Sequence, residues 1–477
     1  MDQTLNEKND KRLRHMNIKK LLISLAIPST LAMIVNALYN LVDTLFVSIG
    51  VGTDAIGALT IAYPVQLIIL AIGLMLGVGS ASVFSRAFGR HDLETMKKAV
   101  NTAIILNVLM TLTVSLITYF FLEELLLFFG ATEGNIDYAR DYILIILIAL
   151  IPFSLGIMMN NLTRAEGRVK IAMWSLVIGA GLNIILDPIF IFDWGLGLGV
   201  QGAAYATAIA KTAAFIYIFL QALSKKSSLA IDLKHIYKID LQAAKEMILV
   251  GLPSFARIAM GSVMIIVVNN LIKSYAYTAN IASMSDEEVA TMYQSIYGVI
   301  NRLLRFALMP GFGLVQGMVP IVGYNFGAKK FDRVHKVMSF ASKLLLAYFT
   351  FALIMIMFFS PALFSIFTKG DEAENIELFI NLGSSAFRVV ALGFSFITYQ
   401  VILSSGYQAM GYPLRAFLVA LSRRFLLFVP FAYLLSYIWG IDGIWWTFVV
   451  ADVITGTISY MVYRKEMKEL KLRIERV

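Results

Sequence analysis

Residues 21–50 read LLISLAIPSTLAMIVNALYNLVDTLFVSIG, thirty residues with one charged side chain, Asp43. As a helix rising ~1.5 Å per residue this stretch is about 45 Å long, more than a hydrocarbon core of ~30 Å requires. A signal peptide has an apolar core of roughly 7–15 residues and a small-residue cleavage site. This stretch is far longer and carries Asn36, Asn40 and Asp43, so it reads as an uncleaved first span. The polar, basic residues 1–20, with Lys8, Lys11, Arg12, Arg14, Lys19 and Lys20, precede it.

The rest of the chain repeats the pattern. Spans are expected at 21–48, 55–84, 98–121, 139–161, 171–192, 201–223, 246–272, 292–322, 337–360, 377–405, 414–438 and 444–463. Apolar residues make up 59% and charged residues 15% of the 477-residue chain, against about 45–50% and about 25% in soluble domains. A soluble enzyme is therefore excluded in favour of a polytopic membrane protein. With no Cys there is no disulfide framework, thiolate metal site or thiol nucleophile, and the four His are too scattered for a metal centre. The chain has no P-loop, H-E-x-x-H or nucleophile elbow. Gly197–Gly202 has the form G-x-G-x-x-G, but it lies between two spans and not after a strand, so it reads as a turn. No cofactor is expected, nor an enzyme activity.

Charge alternates between the connecting segments. Arg86, Arg90, Lys97 and Lys98; Arg164, Arg168 and Lys170; Lys225, Lys226, Lys234 and Lys238; and Lys329, Lys330, Arg333 and Lys336 form one set, in phase with the basic residues after 463. Glu123, Glu124, Glu133 and Asp137; Asp193; Asp286, Glu287 and Glu288; and Asp371, Glu372, Glu374 and Glu377 form the other. The positive-inside rule places the basic set and both termini in the cytoplasm of a plasma-membrane protein. The net charge of +9 then reports topology and contact with anionic lipid, not nucleic acid.

Four local patterns recur in the same order. Ile27-Pro28-Ser29 matches Leu252-Pro253-Ser254, and Gly79 with Phe88-Gly89 matches Gly317 with Phe326-Gly327. Arg164-Ala165-Glu166-Gly167 matches Gln408-Ala409-Met410-Gly411, and Val200-Gln201-Gly202 matches Ile441-Asp442-Gly443. The chain thus reads as two copies of a six-span unit, 21–223 and 246–463, joined by a cytoplasmic linker 224–245 and flanked by tails 1–20 and 464–477. An even span number per copy gives both halves one topology, related by an axis along the membrane normal. That is a transporter layout, with a central site opened alternately to each side.

The residues at this point resemble a known family. Pro28, Leu38-Tyr39-Asn40-Leu41-Val42-Asp43, Asn183-Ile184-Ile185-Leu186-Asp187-Pro188, Gly202-Ala203-Ala204 with Thr207, and residues 320–328 (PIVGYNFGA) are similar to signature segments of multidrug and toxic compound extrusion (MATE) transporters. The first-half segments look like the DinF-like branch, which keeps its coupling carboxylates in the N-terminal half. The resemblance covers about 20–463. It implies an all-α membrane fold of two six-helix bundles related by a pseudo-two-fold axis, exporting organic compounds against inward H⁺ or Na⁺ flow.

The residues support such a site independently. An ionised group at mid-membrane costs at least ~2.5–3.5 kcal/mol on insertion scales, so it points to function. Asn36, Asn40 and Asp43 fall on one helix face, as do Asn183 and Asp187, with Thr207 offering a hydroxyl in the sixth span. Two carboxylates, amide oxygens and a hydroxyl can hold a proton or Na⁺, the latter on Asp43 and Asp187. Lys211 lies one turn from Thr207. It either snorkels along its apolar stem or partners one of the acids, which would disfavour Na⁺ and favour H⁺.

In the second half Arg257, Arg302, Arg305, Arg388, Arg423 and Arg424 fall within spans, against one acid, Asp452. Arg302 and Arg305 share a helix face and are expected to share a cavity wall. Asn36, Tyr39, Gln66, Lys211, Arg302, Arg305 and Asp452 are thus the candidate cavity residues. The expected cargo is a small amphiphilic organic compound carried by a monomer in contact with membrane lipid. Export or flipping of an anionic lipid or lipid-linked intermediate is the alternative.

Overall fold

The computed structural model describes residues 7–51, 53–129, 136–229, 231, 239–281, 284–367 and 376–475. The side chain of Asn40 and residues Glu133, Lys234, Lys238, Asp371, Glu372 and Glu374 lie outside the described residues. Among the described residues all regular structure is helical. A short helix α1 (Glu7–His15) leads into α2 (Ile18–Val51), α3 (Thr53–Arg90) and α4 (Leu93–Phe120). After the short α5 (Leu122–Phe128) come α6 (Ile136–Ala165), α7 (Val169–Ile191) and α8 (Gly199–Leu223), completing the first half. The second half comprises α9 (Leu241–Tyr275), α10 (Asp286–Gly327), α11 (Phe331–Ser365), α12 (Ile376–Ala391), α13 (Phe394–Met410), α14 (Pro413–Leu421), α15 (Phe428–Trp439) and α16 (Ile441–Glu475).

Eleven helical segments are long and apolar enough to cross a membrane, and α12 with α13 forms a twelfth, bent by 48°. Each expected span overlaps one of these twelve. Two features were not anticipated. The tenth span breaks at Leu392-Gly393, where a β-carbon on Gly393 would stand 2.5 Å from Asp452 Oδ2; the missing side chain makes room for that acid. The eleventh span carries a π-helical turn, Ser422–Leu427, between α14 and α15. Of the 197–202 segment, read as a turn, only Gly197 and Leu198 lie outside a helix; Gly199–Gly202 open α8, with Gly197 and Gly199 at positive φ.

In lipid the apolar side chains gain little by meeting one another, so bundle helices associate through small residues and polar contacts. The repeated glycines show this at the junction of the halves. Gly89 packs on the Tyr324 carbonyl and Gly327 on the Arg86 carbonyl, where an added methyl would approach to 2.0 and 2.1 Å. Gly79 abuts the α9 backbone at Met247 and its counterpart Gly317 the α2 backbone at Ala26. Each copy of the motif thus grips the other half in an equivalent place. Ser82 adds a hydrogen bond to the Gln408 carbonyl, and Arg86 pairs with Glu246 at 2.7 Å.

This sealed junction lies on the face that carries both chain ends. There α1, expected to be a plain polar tail, is instead a strap across both halves. Arg333 donates to the carbonyls of Leu13 (3.0 Å) and Met16 (2.8 Å), Asn325 Nδ2 to Leu13 (3.3 Å), and Tyr324 to Asp10. On the first-half side Arg12 donates to Ser24 (2.7 Å), Arg14 to His91 Nε2 (2.7 Å), and the buried Leu13 packs on Gly167. At the other chain end Arg473 reaches Tyr412.

Glu166, in the turn between α6 and α7, ties the linker to the first half. It is fully buried and accepts from the Ser228 backbone N–H, the Ser227 hydroxyl (3.1 Å) and Arg168 (3.5 Å). Burial pushes its carboxyl up to about 7 despite the nearby Arg168 guanidinium. An unfolded Glu titrates near ~4.3, so between these values the folded chain holds the extra proton. The contribution to stability is present at low pH and is lost as pH rises through the folded value. Thermal midpoints of wild type are expected to fall between pH 5 and 7 more steeply than those of Glu166→Gln, by up to about 1.4 kcal/mol per pH unit. Parallel curves for the two proteins would remove Glu166 as the cause.

Candidate functional site

The first-half site is assembled where α7 packs on α8. Gly179 lets α7 approach Ala214, and the Ser175 hydroxyl donates to the Ala214 carbonyl at 3.0 Å. This close approach turns the Asn183–Asp187 face of α7 toward Thr207 on α8. Asn183 Nδ2 donates to Asp187 Oδ1 (3.0 Å) and to Thr207 Oγ1 (3.4 Å), and all three residues are buried. Pro188 sits inside α7, where a missing N–H frees a backbone carbonyl one turn earlier. From α2, the Asp43 carboxyl comes up beside that of Asp187.

The acceptors outnumber the donors here. Asp187 Oδ2 and Asn183 Oδ1 are buried and receive no hydrogen bond among the described residues. Two facing carboxyls with orphaned oxygens call for a proton or a small cation between them. The donor set is hard oxygen throughout and suits H⁺ or Na⁺. Among the described residues no group of three or more His, Cys, Asp or Glu is placed to hold a metal ion.

Lys211 does not snorkel. Its ammonium lies over the Tyr39 ring, 4.6 Å from the centroid, and 5.4 Å from that of Phe153, with Asp43 the acid within its electrostatic reach. Tyr39 is buried beside Asp43, Asp187 and Thr207. Gln66 reaches the site through Tyr142, donating to its hydroxyl at 3.1 Å. Tyr142 also neighbours both acids and was missed in the sequence, because a lone Tyr one turn into an apolar span carries no distinguishing signal. Asn36 is half-buried on α2, nearer the sealed face.

The second-half arginines divide into two groups. Arg388 donates to the Met357 carbonyl at 3.0 Å, and Arg257 to Ser254 (2.9 Å) and Gln408 (3.4 Å). Arg423 grips Asp452 with two hydrogen bonds. Arg302 and Arg305 do not share a cavity, which corrects the expectation from their spacing. Arg302 lines an outer cavity of about 800 Å³ with Ser285, Glu288 and Phe379. Arg305 lines another, of about 270 Å³, with Arg423, Arg424 and Asp452. On a helix two residues three apart diverge by about 60°, enough to straddle the wall between neighbouring cavities.

Eleven spans, or twelve with the bent pair counted as one, make this a polytopic membrane protein. A model of the MatE family matches residues 28–189 and 266–434. The chain belongs to that family, whose members are multidrug efflux transporters of the membrane and not enzymes. It is similar to the multidrug export protein MepA of Staphylococcus haemolyticus (strain JCSC1435), 24% identical over 449 residues and 94% of each chain. It is also similar to MepA of Staphylococcus aureus (strain MSSA476), 24% identical over 443 residues and 93% of each chain. Among solved structures, the outward-facing conformation of a multidrug resistance MATE family transporter of the MOP superfamily superposes with a TM-score of 0.87. It is 25% identical, over 97% of this chain and 99% of that one.

Proposed function

We propose that the chain is a cation-coupled antiporter that exports amphiphilic organic compounds, with Asp43 and Asp187 as the coupling pair. The observation that carries this reading is the meeting of these two carboxyls beside the unpartnered oxygens of Asp187 and Asn183. Asn183, Thr207 and Asn40 complete the coupling site, a first-half placement like that of the DinF-like branch. The relatives named for multidrug export support the choice of cargo. The halves 21–223 and 246–463 rock about the linker 224–245 in a monomer of the plasma membrane. The sealed, strap-bearing face is the cytoplasmic one, because its segments carry the basic residues.

In this reading H⁺ is the driving ion. An ammonium beside the acid pair opposes entry of Na⁺, whereas a proton neutralises one carboxyl and lets Lys211 separate from it. The test is dye efflux from proteoliposomes of the purified protein under imposed H⁺ or Na⁺ gradients. Wild type is expected to respond to a pH gradient, and Lys211→Gln to acquire a response to Na⁺ at fixed pH. Wild-type efflux that follows Na⁺ alone would reverse the assignment.

A further inference from the structure

The spacing that carries Gly202 onto Gly443 also carries Lys211 onto Asp452. Both residues lie on unbroken helices, α8 and α16, each the last span of its half. In the first half this position sets a cation against acids; in the second it sets an acid against arginines. The two halves therefore hold polar sites at matching places with the charges exchanged.

The second-half site is built and has space in it. The π-helical turn Ser422–Leu427 brings the consecutive Arg423 and Arg424 onto one cavity wall; such turns cluster at functional sites. Arg423 is neutralised by Asp452. Arg424 donates one N–H to the Arg257 carbonyl at 2.6 Å, leaving most of its five donors for other partners. Arg305 comes from near the middle of α10 and makes no hydrogen bond or ion pair among the described residues. The balance is three guanidiniums against one carboxylate, since Asp452 is the one acid among the described lining residues. Leu67 and Leu70 of α3, with Ile258, Leu304, Leu308 and Phe428, give the cavity apolar walls drawn from both halves.

Unpaired guanidiniums at mid-membrane are costly unless a partner arrives, and the geometry of Arg suits phosphate or carboxylate. We propose that the cavity of about 270 Å³ between Arg305 and Arg424 is a binding site for the anionic headgroup, phosphate or carboxylate, of an amphiphile whose chain lies along the leucine wall. This deepens the export reading by giving the cargo site a charge preference. The acid pair of the first half then serves coupling, and the basic cavity of the second serves anionic cargo.

The test measures binding without any gradient, so it stands apart from the coupling question. Purified protein in phosphatidylcholine nanodiscs is titrated calorimetrically with octyl phosphate, and with octyltrimethylammonium as the cationic counterpart. Wild type is expected to bind octyl phosphate saturably and the cation at least tenfold more weakly. Arg305→Gln is expected to lose roughly tenfold or more in octyl phosphate affinity, the loss of one charge-assisted hydrogen bond. Arg302→Gln, on the other cavity, is expected to bind as wild type does. Arg424→Gln also loosens Arg257, so Arg305→Gln is the deciding variant. Nanodiscs containing phosphatidylglycerol identify the source of the headgroup: competition with octyl phosphate in wild type marks a lipid, and none marks a dissolved amphiphile. Equal affinity of wild type and Arg305→Gln, or equal binding of the cation, overturns the proposal. Retained binding with no gradient-driven efflux would instead count against the coupling role alone.

Discussion

Asp43→Asn and Asp187→Asn are each expected to reduce gradient-driven export to background while leaving the protein inserted and folded. The amide keeps the size of the carboxyl and removes its ability to exchange a proton or hold a cation. Because the two carboxyls meet, losing either one leaves a single acid that has no need to trade its ion between states. Stability is expected to be unchanged or higher, since replacing a buried like-charge pair removes a desolvation cost. Export from proteoliposomes, read beside thermal stability in detergent, separates the two effects. Near-wild-type export by both variants would take these residues out of the coupling role.

Gly327→Ala, and with it Gly79→Ala, is expected to disable the seal on the face bearing the termini. The added methyl would stand 2.1 Å from the Arg86 carbonyl at Gly327 and 2.0 Å from the Met247 carbonyl at Gly79. Both obstacles are backbone, so no rotamer change relieves them. Overpacking of this kind costs about 1–3 kcal/mol, and a bias of that size moves a two-state equilibrium by roughly 5–150-fold. Export is expected to fall by about tenfold or more as the closed state is lost. The absence of Cys makes the structural effect directly readable. A single cysteine at Ser82, whose hydroxyl bonds the Gln408 carbonyl across the seal, is expected to label with an impermeant maleimide about tenfold faster in the Gly327→Ala background. Unchanged labelling would show that the contact is not part of a moving seal.

The sequence reached the fold because apolar length is enough to mark a span and because each half repeats its glycines where the halves touch. Asp43, Asn183, Asp187 and Thr207 could be singled out because carboxylates and amides are rare inside spans and their spacing fixes a helix face. Tyr142 escaped, since a tyrosine in a span is too ordinary to flag. The separation of Arg302 from Arg305 escaped for a different reason: helical spacing gives a face, but which cavity that face meets depends on neighbouring helices. The π-turn that sets Arg423 beside Arg424, and the bend at Gly393 that admits Asp452, are responses to tertiary packing and leave no local pattern. The strap escaped because a nine-residue helix with eight polar residues gains its order from the carbonyl contacts of Leu13, Arg14 and Met16 to a distant part of the chain.

That strap has a consequence for biosynthesis. Leu13 leaves the ribosome 312 residues before Asn325, its partner in the second half. At synthesis rates of about 5–20 residues per second, α1 waits on the order of 15–60 s with only its first-half contacts, to Ser24, His91 and Gly167, to hold it. The segment threaded early is therefore among the last to dock, and its docking reports that both bundles have been inserted and have met. Anything fused ahead of Glu7 is carried into that closing step, so a bulky N-terminal tag would burden assembly more than the same tag placed after the last helix.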